Sequence, residues 1–107
     1  MSVLNKEVID GMAVDTNENA LRLLISDELD WNDEYNHLIN LQEKINNYVA
    51  FWETKQYKQT YDVELTHAII EIHFMFDITE NAEAFLNQVQ NLLSDIRMVI
   101  ECYIDGE

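Results

Sequence analysis

The densest group of charged side chains lies between positions 26 and 35, where five carboxylates fall within eight residues. Carboxylate oxygens are the ligands that Ca²⁺ and Mg²⁺ prefer, but the spacing does not match an EF-hand loop and the glycine that loop requires is missing. The segment is interpreted first as a solvated helix N-terminus, second as a protein-binding patch and last as a metal site. The patch comprises Asp27, Glu28, Asp30, Trp31, Asp33, Glu34 and Tyr35.

Trp31 precedes a predicted helix, a position where a large ring commonly staples the chain onto the core. We favour this interpretation over that of an exposed anchor in a protein interface.

A second candidate cluster consists of His67, Glu71 and His73, which alternate onto one face of a predicted strand. Imidazole and carboxylate are ligand types that zinc accepts. However, His67 and His73 are about 20 Å apart at the rise of a β-strand, so one strand does not bring them to a single tetrahedral centre. We therefore expect no metal and no other cofactor, and these three residues are the weak metal candidates.

No pattern supports nucleophilic or nucleotide chemistry. Ser26 and Ser94 lie in no elbow-like motif, and Cys102 has no evident basic partner. The chain has two glycines, so a glycine-rich phosphate loop is missing. We predict a non-enzymatic protein without catalytic residues, in which Cys102 is an inert core thiol.

The first half of the chain predicts a β-hairpin followed by a helix. Two short apolar runs, 8–14 and 21–25, flank a polar turn. Apolar residues then recur at spacings of three and four over 32–53, with Tyr35 among the stripe that faces the core. Asp30 or Asn32 is the expected cap of this helix.

The second half predicts a loop, a strand, a helix and a final strand. Residues 54–62 are polar, whereas 65–76 alternate as a strand that places Phe76 on its core face. Thr79 is the expected cap of a second helix, whose apolar stripe reaches Ile96. Residues 98–104 form the last strand.

The resulting order, ββαβαβ, predicts an α+β two-layer sandwich: a four-stranded mixed sheet with two helices on one face. Short connections make the last three strands parallel, and right-handed crossovers place both helices on the same side. Parallel strands normally have both faces covered, so we expect a second copy or another protein to close the open face partly. The expected dimer face comprises Leu24, Ile69, Met75, Val99 and Tyr103.

Length and charge limit the partners. At 107 residues the chain is expected to form a single domain, 1–107. Its formal net charge of -15 repels nucleic-acid backbone and anionic membrane, so we expect neither partner. One cysteine, no signal-peptide pattern and no membrane-spanning window indicate a cytoplasmic protein.

The segment 26–31, followed by His37 and Leu38 and by 41–46 and 48–51, resembles a small uncharacterised bacterial family classed as a domain of unknown function. The likeness covers most of the chain, and its most specific part runs from the acidic-Trp segment to Leu-Gln-Glu-Lys. It departs from the family pattern at 54–62. The resemblance implies a bacterial cytosolic protein and the same element order, and it implies no activity.

Two functional hypotheses follow, with a third of lower weight. The leading one is an acidic protein-binding or regulatory protein, in concrete form an immunity-type inhibitor of a basic bacterial toxin. The alternative is a homodimeric structural or accessory protein built on the open sheet face. The third is a metal-dependent module that uses His67, Glu71 and His73.

Overall fold

The computed structural model describes residues 3–105. Its strands and helices follow the order ββαβαβ, which confirms the predicted α+β fold. They are β1 (Gly11–Asp15), β2 (Ala20–Asp27), α1 (Glu34–Glu53), β3 (His67–Phe74), α2 (Glu80–Leu93) and β4 (Met98–Ile104).

The four strands lie side by side in the order β1-β2-β3-β4. β1 pairs antiparallel with β2, and β2, β3 and β4 are parallel, as predicted. The hairpin turn is built on Asp15, whose Oδ1 accepts the backbone N–H groups of Asn17 and Glu18 at 3.0 and 3.2 Å. Asn19 adopts the left-handed conformation with φ 54°, which asparagine tolerates better than most residues.

Both helices pack on one face of the sheet and share a single core cluster with it. The inward side chains of β2 and β3 are fully buried because their strands lie inside the sheet. α1 contributes Leu41, Ile45 and Tyr48 to this core, and α2 contributes Leu86 and Leu93.

Each helix begins at a side-chain cap. The Thr79 hydroxyl accepts the N–H of Ala82 at 3.1 Å, as predicted. The cap of α1 is Asp33, which accepts from Asn36, so the prediction of Asp30 or Asn32 is wrong. The reason is local, because the carboxylate of Asp30 binds the N–H of Asn32 before the helix starts.

The apolar stripe of α1 is also rotated from the predicted one. Its buried residues are His37, Leu41, Lys44, Ile45 and Tyr48, whereas Tyr35 points to solvent. The stripe contains a histidine and a lysine because both side chains find carboxylate partners inside the fold.

The connection between α1 and β3 is anchored. It contains a short 3₁₀ helix, Gln56–Gln59, whose Tyr57 is buried and stacks on Trp52 with ring centroids 5.3 Å apart. Trp52 in turn donates its indole N–H to the Ile96 carbonyl at 2.8 Å. These contacts tie the ends of both helices to the connection.

β3 ends at Phe74, two residues earlier than predicted. Phe76 therefore lies outside the strand and is exposed, so its predicted core position is wrong. Within residues 3–105, no helix combines the length and apolar character needed to cross a membrane.

Candidate functional site

The carboxyl ends of the three parallel strands meet at one edge of the sheet. Asp27, Phe74 and Ile104 are register partners across β2, β3 and β4. Two further backbone hydrogen bonds extend the pairing at this edge. The Met75 N–H donates to the Asp27 carbonyl at 2.8 Å, and the Asp105 N–H donates to the Phe74 carbonyl at 2.9 Å. Ligands of open sheets with parallel strands commonly bind outside such an edge.

This edge collects carboxylates from both helix starts. We define the acidic edge as Glu28, Asp30, Asp33, Glu34, Asp77, Glu80 and Glu83. The two helix starts touch, because Glu34 Oε1 accepts from the Asn81 side-chain amide at 2.9 Å. The predicted acidic patch after β2 is thus continuous with acids of α2 that are far away in sequence.

Glu34 is held in its ionised form. Hydrogen bonds from Thr79 and Asn81 lower the pKa of its carboxyl below the ordinary value. Together with Glu80 and Glu83 it lies in a first helical turn, where the helix dipole favours negative charge. The acids are therefore compatible with the fold at these positions, and the edge remains negative at neutral pH.

Three large side chains project into solvent beside these acids. Tyr35 is 75% exposed, and Met75 and Phe76 are each 47% exposed. Tyr35 follows Glu34 in the chain, and Met75 and Phe76 precede Asp77. Aromatic side chains and methionine are enriched in protein interfaces, where a few of them carry most of the binding energy.

Trp31 packs inward in part. Its ring stacks on His37 with centroids 3.7 Å apart and lies 6.1 Å from the ring of Phe74. The ring thus fixes the segment that leads into α1, as expected of a staple. Its indole N–H is buried and has no hydrogen-bond partner within residues 3–105.

Asp27 is also turned inward, where it forms a buried pair with His37. The Nε2 of His37 lies 2.6 Å from Asp27 Oδ2, and both side chains are inaccessible to solvent. The Nδ1 of His37 lies 2.9 Å from the Asp30 carbonyl. Asp27 therefore lies beneath the acidic edge and is not part of its exposed surface.

A second buried pair lies further along the inner side of α1. Lys44 Nζ contacts Asp10 Oδ1 at 2.8 Å, and both side chains are fully buried. The other Asp10 oxygen accepts the N–H of Ser26 at 2.9 Å. The Asp10 N–H donates to the Tyr48 hydroxyl at 2.9 Å, and that hydroxyl donates to the Leu24 carbonyl. This network locks α1 onto the β1–β2 hairpin.

The open face of the sheet carries a different polar network, centred on Arg22. Its guanidinium contacts four carboxylates at 2.9–3.1 Å: Asp15, Glu18, Glu71 and Glu101. The hydrogen bond with Arg22 lowers the pKa of Asp15, and hydrogen bonds from Tyr103 and then Arg22 lower that of Glu101. One arginine thus neutralises part of a face that has no helix over it.

We expect Arg22→Gln to lower the free energy of unfolding at pH 7 by about 1 kcal/mol, the upper end of the range for solvent-screened ion pairs. Carboxyls with a lowered pKa stabilise the fold above their unfolded pKa of about 4, and this contribution is lost as pH falls through the folded value. The loss caused by Arg22→Gln should therefore shrink below about pH 4. Urea unfolding over a pH series measures it.

Arg97→Gln is the matched control, since Arg97 is exposed and caps a 3₁₀ turn in the left-handed conformation. Its effect should stay within about 0.5 kcal/mol. An equal loss in both variants would contradict the structural role given to the Arg22 network.

Two of the three metal candidates meet, since His73 Nε2 lies 3.4 Å from Glu71 Oε1, but His67 makes its contacts elsewhere. His67 contacts the Thr66 hydroxyl and lies 3.9 Å from Glu18, whereas Glu71 is held by Arg22. His73 lies 2.6 Å from Asp105 and stacks on Tyr103. Among residues 3–105, no group of three or more His, Cys, Asp or Glu side chains is arranged to hold a metal ion.

Comparison with known proteins adds one finding. Residues 1–106 match the model of a family of unknown function, DUF6572. The chain belongs to this family. Comparisons with curated proteins and with solved structures return no match. Membership confirms the resemblance to a domain of unknown function, and DUF6572 brings no activity or catalytic residue to this chain.

The residues expected to form a dimer face do not make one apolar surface. Val99 and Tyr103 are each 40% exposed, but Ile69 is already buried within the chain, and Met75 lies beyond the end of β3 at the acidic edge. Leu24 lines a shallow pocket of about 440 Å³ together with Ser26, Arg22 and His73. A dimer on this face stays a prediction.

Cys102 is exposed, so its expected place in the core is wrong. It lies on β4, the last strand of the sheet, whose outer side has no strand neighbour. Partial burial raises the pKa of its thiol, which keeps the thiol protonated at neutral pH. The apolar run that contains Cys102 thus indicates a β-strand, but it does not indicate that the Cys102 side chain is buried.

Proposed function

We propose that this member of DUF6572 is a non-enzymatic protein-binding or regulatory protein that docks a basic partner on its acidic edge. The observation that carries the proposal is the combination at this edge of seven carboxylates with three exposed large side chains, Tyr35, Met75 and Phe76. Apolar anchors inside a charged rim are typical of protein interfaces.

The charge distribution supports this assignment. Four of the six basic side chains pair with carboxylates outside the acidic edge: Lys6 with Glu43, Arg22 with its open-face acids, Lys44 with Asp10 and Lys58 with Glu64. These four side chains therefore do not neutralise the acidic edge, and its carboxylates produce a local negative potential. Such a field raises the association rate with a basic partner and weakens as salt increases.

The most concrete form of the proposal is an immunity-type inhibitor of a basic bacterial toxin. An inhibitor must capture its target quickly, and long-range attraction supplies that rate. It must also act where the toxin would act on the producing cell, which fits a cytoplasmic protein. A basic protein encoded next to this chain is the first partner to assay.

The test compares two triple variants that each remove three negative charges. The edge variant combines Asp30→Asn, Asp77→Asn and Glu80→Gln, and the control variant combines Glu53→Gln, Asp62→Asn and Asp95→Asn near the other ends of the helices. We expect the edge variant to slow association at low salt on the order of tenfold and to flatten its salt dependence. Stopped-flow or surface-binding kinetics with the basic partner measure both.

The control variant should stay close to the wild-type rate, since its charges lie away from the docking edge. Equal effects of the two variants would show that only net charge matters, and the proposed location would then be wrong. A complex whose association rate does not change with salt would contradict the electrostatic part of the proposal.

A further inference from the structure

β4 is the last strand of the sheet, and the direction of its backbone groups is fixed by its pairing with β3. The Ala68 N–H binds the Arg97 carbonyl at 3.0 Å, and the Asp105 N–H binds the Phe74 carbonyl at 2.9 Å. Backbone groups alternate sides along a strand. Those of residues 98, 100, 102 and 104 therefore point away from the sheet.

A side chain of α2 covers the first part of this outer edge. The amide of Gln90 donates to the Met98 carbonyl at 3.1 Å and accepts the Ile100 N–H at 2.7 Å, as a neighbouring strand would. Beyond it lie the Ile100 carbonyl, both backbone groups of Cys102 and the Ile104 N–H. Within residues 3–105, no hydrogen bond reaches these four groups.

The four groups form a set that is complementary to itself. We propose that a second copy of this chain adds its own β4 in antiparallel orientation, with the two-fold axis at Cys102. Each Cys102 then exchanges both backbone hydrogen bonds with the partner's Cys102. Each Ile104 N–H binds the partner's Ile100 carbonyl, and the two groups held by Gln90 are not needed.

The side chains of β4 suit such a contact. The strand contains one charged residue, Glu101, and that residue is paired with Arg22. Lysine and proline, which commonly protect edge strands, are missing from it. Two copies can thus meet along a nearly neutral strand although each carries a formal charge of -15. Since the whole chains still repel, added salt should strengthen the dimer while it weakens a complex on the acidic edge.

The first test is the oligomeric state of the full chain at about 0.15 M salt, where the Debye length is about 8 Å. Sedimentation velocity should show a dimer whose fraction rises with protein concentration. Cys102→Ser keeps the N–H and should remain dimeric, whereas Cys102→Pro removes an outward N–H that β3 does not use and should be monomeric. Far-UV circular dichroism checks that the proline variant is folded. A monomeric wild type, or a folded proline variant that still dimerises, would overturn the proposal.

The second test fixes the register without altering the edge. Residues in a hydrogen-bonded antiparallel pair have Cα atoms about 5.5 Å apart, within disulfide range. Oxidised glutathione should therefore join the two Cys102 thiols, as two thiols lose their protons and two electrons and one oxidised glutathione is reduced to two glutathione molecules. Gel electrophoresis without reductant detects the linked dimer.

The control variant combines Cys102→Ser with Ile104→Cys. In the proposed register its two cysteines lie about 13 Å apart along the strand and should not link. Adding Ile100→Cys to this variant should restore the link, because positions 100 and 104 lie opposite each other. Linking that is equally efficient with the cysteine at 104 alone would contradict the two-fold axis at Cys102.

Discussion

Lys44→Met is expected to lower the free energy of unfolding by about 3–5 kcal/mol, the cost of leaving one member of a buried ion pair without its partner. The side chains of Lys44 and Asp10 are both fully buried, and Lys44 Nζ lies 2.8 Å from Asp10 Oδ1. After the substitution, Asp10 keeps the N–H of Ser26 but loses its counter-charge in a place that water does not reach. Methionine preserves most of the aliphatic stem, so the packing of α1 changes little. Denaturant unfolding at pH 7 measures the loss.

A double variant separates charge from packing. Combining Lys44→Met with Asp10→Asn removes the buried charge and should recover part of the stability lost by Lys44→Met alone. Lys58→Met, at a surface pair, should change stability far less than Lys44→Met does. If the double variant lost more unfolding free energy than its two single variants lost together, Lys44 and Asp10 would not stabilise the fold as a charge pair.

His37→Gln is expected to cost about 3 kcal/mol at pH 6, and to remove a pH dependence from the folding equilibrium. Burial by itself lowers the pKa of His37, but the hydrogen bond and charge of Asp27, with the Asp30 carbonyl, outweigh it and raise the pKa. Both ring nitrogens face oxygen atoms, so the doubly protonated ring satisfies both contacts.

The direction of this pH dependence follows from the linkage between protonation and folding. A histidine whose pKa is raised in the folded state contributes stability that is fully present below its unfolded pKa of about 6.5. That contribution is lost as pH rises through the folded pKa. The wild type should therefore become less stable from about pH 6.5 upward, and His37→Gln should be less dependent on pH in that window.

His67→Gln serves as the control for this titration, because His67 lies on the open face away from the pair. It should keep the pH dependence of the wild type. A His37→Gln protein with an unchanged slope would show that another group titrates there.

The element order and the parallel direction of the last three strands were predictable from local signals. The spacing of apolar residues changes from two to three or four at α1, and Thr79 marks the start of α2. Short connections then leave few ways to arrange the strands. The end of β3 was less predictable, because Met75 and Phe76 continue the apolar alternation beyond Phe74 although the chain already turns away.

The buried pairs were not predictable from hydropathy, which treats His37 and Lys44 as surface residues. A signal was nonetheless present, since His37, Leu41, Lys44 and Tyr48 are spaced by four, three and four and so share one helix face. The partners lie beside strand ends, with Asp10 placed 34 positions from Lys44 and Asp27 placed 10 positions from His37. Only tertiary structure shows that they meet this face.

The sequence predicted only the part of the candidate site that follows β2. The acids after β2 stood out as a cluster, but their junction with the acids of α2 depends on the contact of Glu34 with Asn81, 47 positions along the chain. The sequence also placed Asp27 on the surface and Phe76 in the core, and the structure reverses both. Tyr35 already belonged to the predicted patch, whereas the exposure of Phe76 beside the acids became visible only in the fold.

Docking on the acidic edge is best tested by NMR, with a map of backbone amide shifts recorded as the basic partner is added. Residues 28–35 and 75–83 should shift first, and their shifts should diminish as salt is raised. A map confined to the open face around Arg22, or to the outer edge of β4, would contradict docking on the acidic edge.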